Sequence, residues 1–128
     1  MNRIQKARTN ALFGLNKVLS YNPDGTVRTI MVPGTEAKQY KVIIRRNGKL
    51  STECLLDTGM GDKPCKGNET TVCYHSISAL ITAGILKDKA LSFHKTKKNA
   101  EQINRIVKGK VFEVHSHQGG KSTWLVVH

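Results

Sequence analysis

The sequence predicts a small α+β domain: an N-terminal helix, a β-hairpin, a long loop running into a helix, a basic helix and a C-terminal hairpin. Three observations predict it. Apolar residues recur at helical spacing in three separate segments. Asn47-Gly48 lies between two strand-like segments, a strong two-residue hairpin signal. Gly119-Gly120 separates two more strand-like segments near the end.

The elements follow in order. Ile4, Ala7, Ala11, Leu12, Leu15, Val18 and Leu19 fall on one helical face, opposite Lys6, Arg8 and Lys17. An amphipathic helix is therefore expected within residues 1–28, broken by Asn22-Pro23-Asp24-Gly25. Thr26 to Val32 reads as a strand closed by Pro33-Gly34, and Gln39 to Arg46 as another. A two-residue turn at Asn47-Gly48 starts the return strand, Lys49 to about Leu56, with Lys41 facing Cys54 and Ile43 facing Thr52. Residues 57–72 are loop-like. A helix then begins near Cys73, with Ile77, Leu80, Ile81, Gly84 and Ile85 as its buried stripe. A polar stretch follows. Asn99 with Gln102 resembles a capping box and Gly109 a C-terminal cap, with Ala100, Ile103, Ile106 and Val107 sharing one face between them. Val111 to His117 and Ser122 to His128 form the last hairpin.

The totals suit one domain spanning 1–128. Hydrophobic residues make up 38% and aromatics 5% of the 128 positions. Such a core is thin, so an internal cross-link would help it. No secretory signal and no apolar run of spanning length is visible, so an intracellular protein with reduced cysteines is expected. The three cysteines are an odd number, which argues against a disulfide framework. Lys and Arg number 21 against 9 Asp and Glu, for a net charge of +12. A field of that sign attracts polyanions, nucleic acid first among them, and no membrane partner is expected.

Cys54, Cys65, Cys73 and His75 offer three thiols and an imidazole, the donor set that zinc takes in a tetrahedron. Ten residues separate the first pair of thiols, seven the second, and one residue separates Cys73 from His75. Two positions along a helix turn about 200°, so a Cys-x-His pair suits a helix entrance better than a helix middle. The alternative is that Cys54 and Cys73 are small core residues and His75 a surface one. That alternative does not account for Cys65, which stands in the loop Lys-Pro-Cys-Lys-Gly with nothing apolar beside it. The predicted fold is therefore a zinc-containing α+β domain.

Residues 30–86 resemble a SWIM-type zinc finger, which has a β-hairpin, Cys-x-Cys, a variable loop, and Cys-x-His entering a helix. Val32-Pro33-Gly34-Thr35 and Tyr40-Lys41-Val42 resemble the lead-in to its hairpin. The segment from Cys73-Tyr74-His75 to Ile81 resembles its Cys-x-His helix. The resemblance implies Cys73 and His75 as the second ligand pair and Cys65 as the second Cys of the first pair. Lys63 stands where the family places the first thiol. Cys54 can replace it if the ten intervening residues loop out; Asp57 or Asp62 are the other candidates. The resemblance also implies a non-catalytic module that binds DNA or proteins. Structural zinc of this kind contributes about 10 kcal/mol to folding.

Two basic clusters are the expected phosphate contacts: Arg45, Arg46 and Lys49 at the hairpin tip, and Lys95, Lys97, Lys98, Arg105, Lys108 and Lys110 around the 90–128 helix. The alternative for each is a solvated charged face. Trp124 and the three tyrosines are scattered in sequence, which favours backbone contact with a duplex, expected to be DNA, over a single-strand stacking platform. A protein–protein adaptor with an acidic partner is the rival reading. Two further features carry chemistry. Leu55-Leu56-Asp57-Thr58-Gly59 resembles the active-site motif of retroviral-type aspartic proteases, which pair two Asp carboxylates. That family also shows an apolar-apolar-Gly segment, where this chain has Ile85-Leu86-Lys87, and Asp-Thr-Gly after a strand is common turn chemistry. Glu113, His115 and His117 alternate on a strand, which fits a second metal site or, more simply, a solvated hairpin face.

Overall fold

The computed structural model describes residues 3–12, 14–46, 48–87 and 91–128. They form a small α+β domain dominated by one sheet. The elements are α1 (Arg3–Leu12), β1 (Lys17–Tyr21), β2 (Val27–Pro33), β3 (Gln39–Arg45), β4 (Ser51–Asp57), β5 (Asp62–Pro64), α2 (Gly67–Thr70), α3 (Tyr74–Thr82), β6 (Leu91–His94), α4 (Lys97–Val107), β7 (Lys110–Ser116) and β8 (Ser122–Val127). The sheet order is β1-β2-β3-β4-β7-β8-β6, with β5 paired to β4 outside that path. Two antiparallel halves meet where β4 joins β7 in parallel, through Ser51 opposite His115 and Thr52 opposite Ser116.

The N-terminal helix is shorter than its apolar pattern predicts. It ends at Leu12, and Lys17–Tyr21 is an edge strand paired with β2. Gly14 at φ +64° turns the chain out of the helix. Asn22 to Gly25 therefore reverses the chain between two strands instead of ending a helix; Gly25 N–H donates to Asn22 O at 2.9 Å. The spacing of Leu15, Val18 and Leu19 is helical, but pairing with β2 makes residues 17–21 a strand and leaves Leu15 and Leu19 exposed. The side chains of Ile4, Lys6 and Leu12, and all of Asn47, lie outside the described residues.

The central hairpin has a longer connection and a different register. Arg45 faces Ser51, leaving five residues between the strands, and Cys54 faces Val42 instead of Lys41. Paired residues share a face, so a one-residue shift moves Cys54 to the other face of β3. Val42 and Cys54 are both fully buried, and that burial selects the register.

Three other expectations change. Residues 57–72 contain β5 and the one-turn α2, and the polar stretch after α3 contains β6. Helix α3 stops at Thr82 because Gly84 takes φ +77°, so Gly84 and Ile85 fall outside its stripe; Ile77 and Leu80 are fully buried in it. Helix α4 is capped by Thr96, whose Oγ1 accepts from Asn99 N–H at 3.2 Å, and it closes with Lys108 left-handed at φ +50°. Asn99 is thus the third helical residue, and Ile106 is 78% exposed, off the buried face that Ala100 anchors.

The core joins Ile30, Val32, Val42 and Ile44 of the sheet to Ile77 and Leu80 of α3, and extends to Val114 and Leu125 of the last hairpin. Helix α3 lies on β2, β3 and β4, and α1 packs on α3. This places the start of α3 over the end of β4. The turn between β7 and β8 reaches α2, where a Cβ on Gly119 would run into the Glu69 carbonyl. Gly119→Ala is expected to cost about 1–3 kcal/mol in chemical denaturation; an unchanged midpoint would show that this turn is not held against α2.

Candidate metal centre

Cys54, Cys65, Cys73 and His75 come from three places that the fold draws together: β4, the segment after β5, and the start of α3. Cys54 lies on the inner face of β4. The chain continues to Asp57, turns at 58–61, and returns as β5 with Pro64 opposite Leu55. Cys65 N–H then donates to Cys54 O at 2.9 Å. The ten residues between these cysteines are thus a hairpin whose base sets the two thiols side by side. Cys73 is the N-cap of α3, and His75 is the second residue of that helix.

The four donor atoms lie within 4.8 Å of one another. His75 Nδ1 is 3.7 Å from Cys54 Sγ and 3.8 Å from Cys65 Sγ. A tetrahedral zinc with ordinary Zn–S and Zn–N bonds needs ligand–ligand edges of about 3.5–3.8 Å. No disulfide joins the cysteines. All four residues are buried, Cys65 most exposed at 7%. Soft donors, these spacings and this closure fit a metal ion site. Among the described residues this is the only group of three or more such side chains close enough to hold an ion. Asp57 and Asp62 are engaged elsewhere: Asp57 Oδ1 accepts from Gly59 N–H at 2.9 Å, and Asp62 pairs with Lys41 at 2.7 Å.

The imidazole is oriented by stacking. Tyr40 lies against His75 with ring centroids 3.7 Å apart, and Tyr74 approaches at 3.9 Å. Nε2 is buried without a hydrogen-bond partner, whereas metal-bound histidines usually donate from the second nitrogen. Nδ1, which faces the Cys54 and Cys65 thiols, is the nitrogen placed to ligate a metal, and the two tyrosines stack on the ring.

Two amides that sequence reasoning missed hold the thiol-bearing backbone. Asn68 is fully buried. Its Oδ1 accepts from Cys73 N–H and from Ser76 Oγ, both at 3.1 Å. Its Nδ2 donates to Thr52 O at 3.1 Å and to Gln118 Oε1 at 2.7 Å. Gln118, in the β7–β8 turn, accepts from Cys54 N–H at 2.8 Å and donates to Cys54 O at 2.7 Å. Ser116 Oγ donates to Asn68 O. Asn68 follows Cys65 by three residues, the one local hint, but Gln118 has no signal in its neighbourhood.

Crowding sets the thiols apart electrostatically. Hydrogen bonds from Cys54 and Cys73, with His75 adding to them, hold Cys65 well below the ordinary thiol range. Cys54 is pushed up by its hydrogen bonds to Cys65 and Cys73 and by burial. Burial pushes Cys73 up to about 11. Nearby, Tyr40 and Tyr74 are both raised, first by burial.

The basic residues are spread over the surface. At the hairpin tip Arg45 pairs with Glu53 at 2.8 Å and Lys49 with Glu113 at 3.8 Å, while Arg46 joins Arg28 beside the β1–β2 turn. Lys97 pairs with Glu101 along α4 at 3.9 Å. Lys95, Lys98, Arg105, Lys108 and Lys110 have no ion-pair partner among the described residues, and Lys110 lies over the Phe112 ring. Of the alternating row, Glu113 and His115 both reach Ser122, and His117 falls past the end of β7. No helix among the described residues is long and apolar enough to cross a membrane. No family model, curated protein or solved structure matches the chain.

Proposed function

We propose that Cys54, Cys65, Cys73 and His75 bind a structural zinc ion, and that the chain is a non-catalytic nucleic-acid-binding module of the SWIM-type kind. The observation that carries the zinc reading is the closed Cys3His donor set. Four protein ligands complete a tetrahedron and leave no position for a substrate or reactive water, as in structural sites. The hairpin between Cys54 and Cys65 is the looped-out insertion that the family pattern requires, and it makes Cys54 the first ligand. When bound, zinc would tie the end of β4, the loop before α2 and the start of α3 into one unit.

The net charge of +12 supports the nucleic-acid reading. Lys95, Lys98, Arg105, Lys108 and Lys110 are the basic-helix candidates with no carboxylate to exchange; Arg45, Lys49 and Lys97 would first give up an ion pair. Affinity for a short DNA is expected to fall steeply as salt rises. No binding at low salt, or affinity indifferent to salt, would count against nucleic acid and leave the adaptor reading.

Zinc uptake carries a pH signature. Zinc takes thiolates, and Cys54 and Cys73 are raised above the ordinary thiol range. Binding must therefore expel the protons of the raised thiols, and affinity weakens as pH falls. Calorimetry in buffers of different ionisation enthalpy is expected to find that release. A pH-independent affinity would sink thiolate ligation.

A further inference from the structure

We infer that the groove beside the metal centre seats a single-stranded segment of nucleic acid, with a base against the tyrosine surface and flanking phosphates on Lys38, Lys63 and Lys66. This rests on the nucleic-acid reading above and assigns it a surface that neither basic cluster includes.

The groove has a volume of about 480 Å³, and Cys65, Cys73 and His75 form part of its wall. Tyr40 and Tyr74, distant in sequence, meet there on either side of His75. With Leu56 and Pro64 they give it an apolar, ring-bearing surface, which suits a base and offers nothing to a phosphate. The three lysines surround that surface, and no carboxylate is among the residues lining it. Lys63 and Lys66 are exposed and have no ion-pair partner among the described residues. Lys38 faces only Glu36, at 4.0 Å and largely in solvent. Three thiolates on a divalent ion carry one net negative charge, so three lysines leave the groove positive.

Helix polarity favours the same place. The groove opens at the N-terminal end of α3, where the helix dipole favours anions. The rival groove, lined by Lys87, Lys108 and Lys110, contains the C-terminal cap of α4, where carbonyl oxygens oppose phosphate. Lys63 precedes Cys65 by two residues and Lys66 follows it directly, so metal binding fixes both. Nucleic-acid affinity on this surface is therefore metal-dependent.

The test is fluorescence anisotropy of the metal-loaded full chain with an oligothymidylate of about twelve nucleotides and a duplex of similar length. The wild type is expected to prefer the single strand. The double variant Lys63→Ala/Lys66→Ala is expected to weaken that binding about tenfold and flatten the salt slope by one to two. Lys98→Ala/Arg105→Ala, on the basic helix, should weaken it less than the double variant does. Lys38→Ala, outside the metal loop, should weaken binding with metal content unchanged, even if the double variant loses metal. Preference for the duplex, or loss carried by the α4 variant with Lys38→Ala and the double variant unaffected, overturns this surface assignment while leaving nucleic-acid binding standing. No binding of either probe by the wild type at low salt overturns the nucleic-acid reading itself.

Discussion

Cys73→Ser is expected to abolish stoichiometric zinc and, with it, cooperative melting of the domain. Structural zinc contributes about 10 kcal/mol, against a total stability of about 5–15 kcal/mol for a domain. The core supplies little reserve, since hydrophobic residues are only 38% of the chain. Without metal, two raised thiols remain buried together beside the His75 ring. Cys54→Ser and Cys65→Ser are expected to behave alike. Asp57→Ala and Asp62→Ala are expected to retain one zinc per chain, since both carboxylates are exposed and engaged elsewhere. Elemental analysis with thermal melting reads all five. A metal-free protein that melts cooperatively within a few degrees of the loaded one would show that packing alone sustains the fold.

The second large effect is at Asn68. Asn68→Ala removes four side-chain hydrogen bonds from a fully buried site. Cys73 N–H is left as a buried orphan, which costs about 1–3 kcal/mol, and Thr52 O keeps only the bond from His117 N–H. A loss of about 3–5 kcal/mol is expected, read as a shifted denaturant midpoint at constant slope. Asn68→Asp keeps the acceptor for Cys73 N–H. It loses the donor to Thr52 O and sets a carboxylate against Gln118 Oε1, so it is expected to be no better than alanine. Gln118→Ala is expected to cost about 1–3 kcal/mol, because Cys54 N–H loses its acceptor and Cys54 O keeps only the bond from Cys65 N–H. A cost below about 1 kcal/mol at Asn68 would mean that water replaces the amide.

Elements whose signals are local were legible in the sequence. Helix α3 begins at Cys73 as expected, because a Cys-x-His pair and a helical apolar stripe start at the same place. The last hairpin follows from alternation on both sides of Gly119-Gly120. The helical spacing of Leu15, Val18 and Leu19 hides β1, because that strand is fixed by its partner β2 and not by an alternating apolar pattern. Strand β6 alternates only over Leu91–His94, too short a run to stand out, and its conformation comes from pairing with β8. The scattered tyrosines gave no hint of a shared surface, because Tyr40 and Tyr74 meet only through His75.

The candidate site divides in the same way. The sequence by itself determined the donor chemistry: three thiols and an imidazole at a helix entrance, on a chain of strong positive charge. These are properties of residue type and short spacing. Tertiary structure alone decided that Cys54 stands beside Cys65, through a hairpin in place of a loop and a register one residue from that of a two-residue turn. It also brought Gln118 across from the far end of the chain to hold the Cys54 peptide. Strand register and long-range hydrogen bonds depend on which faces are buried together, and that is settled only when the whole chain has packed.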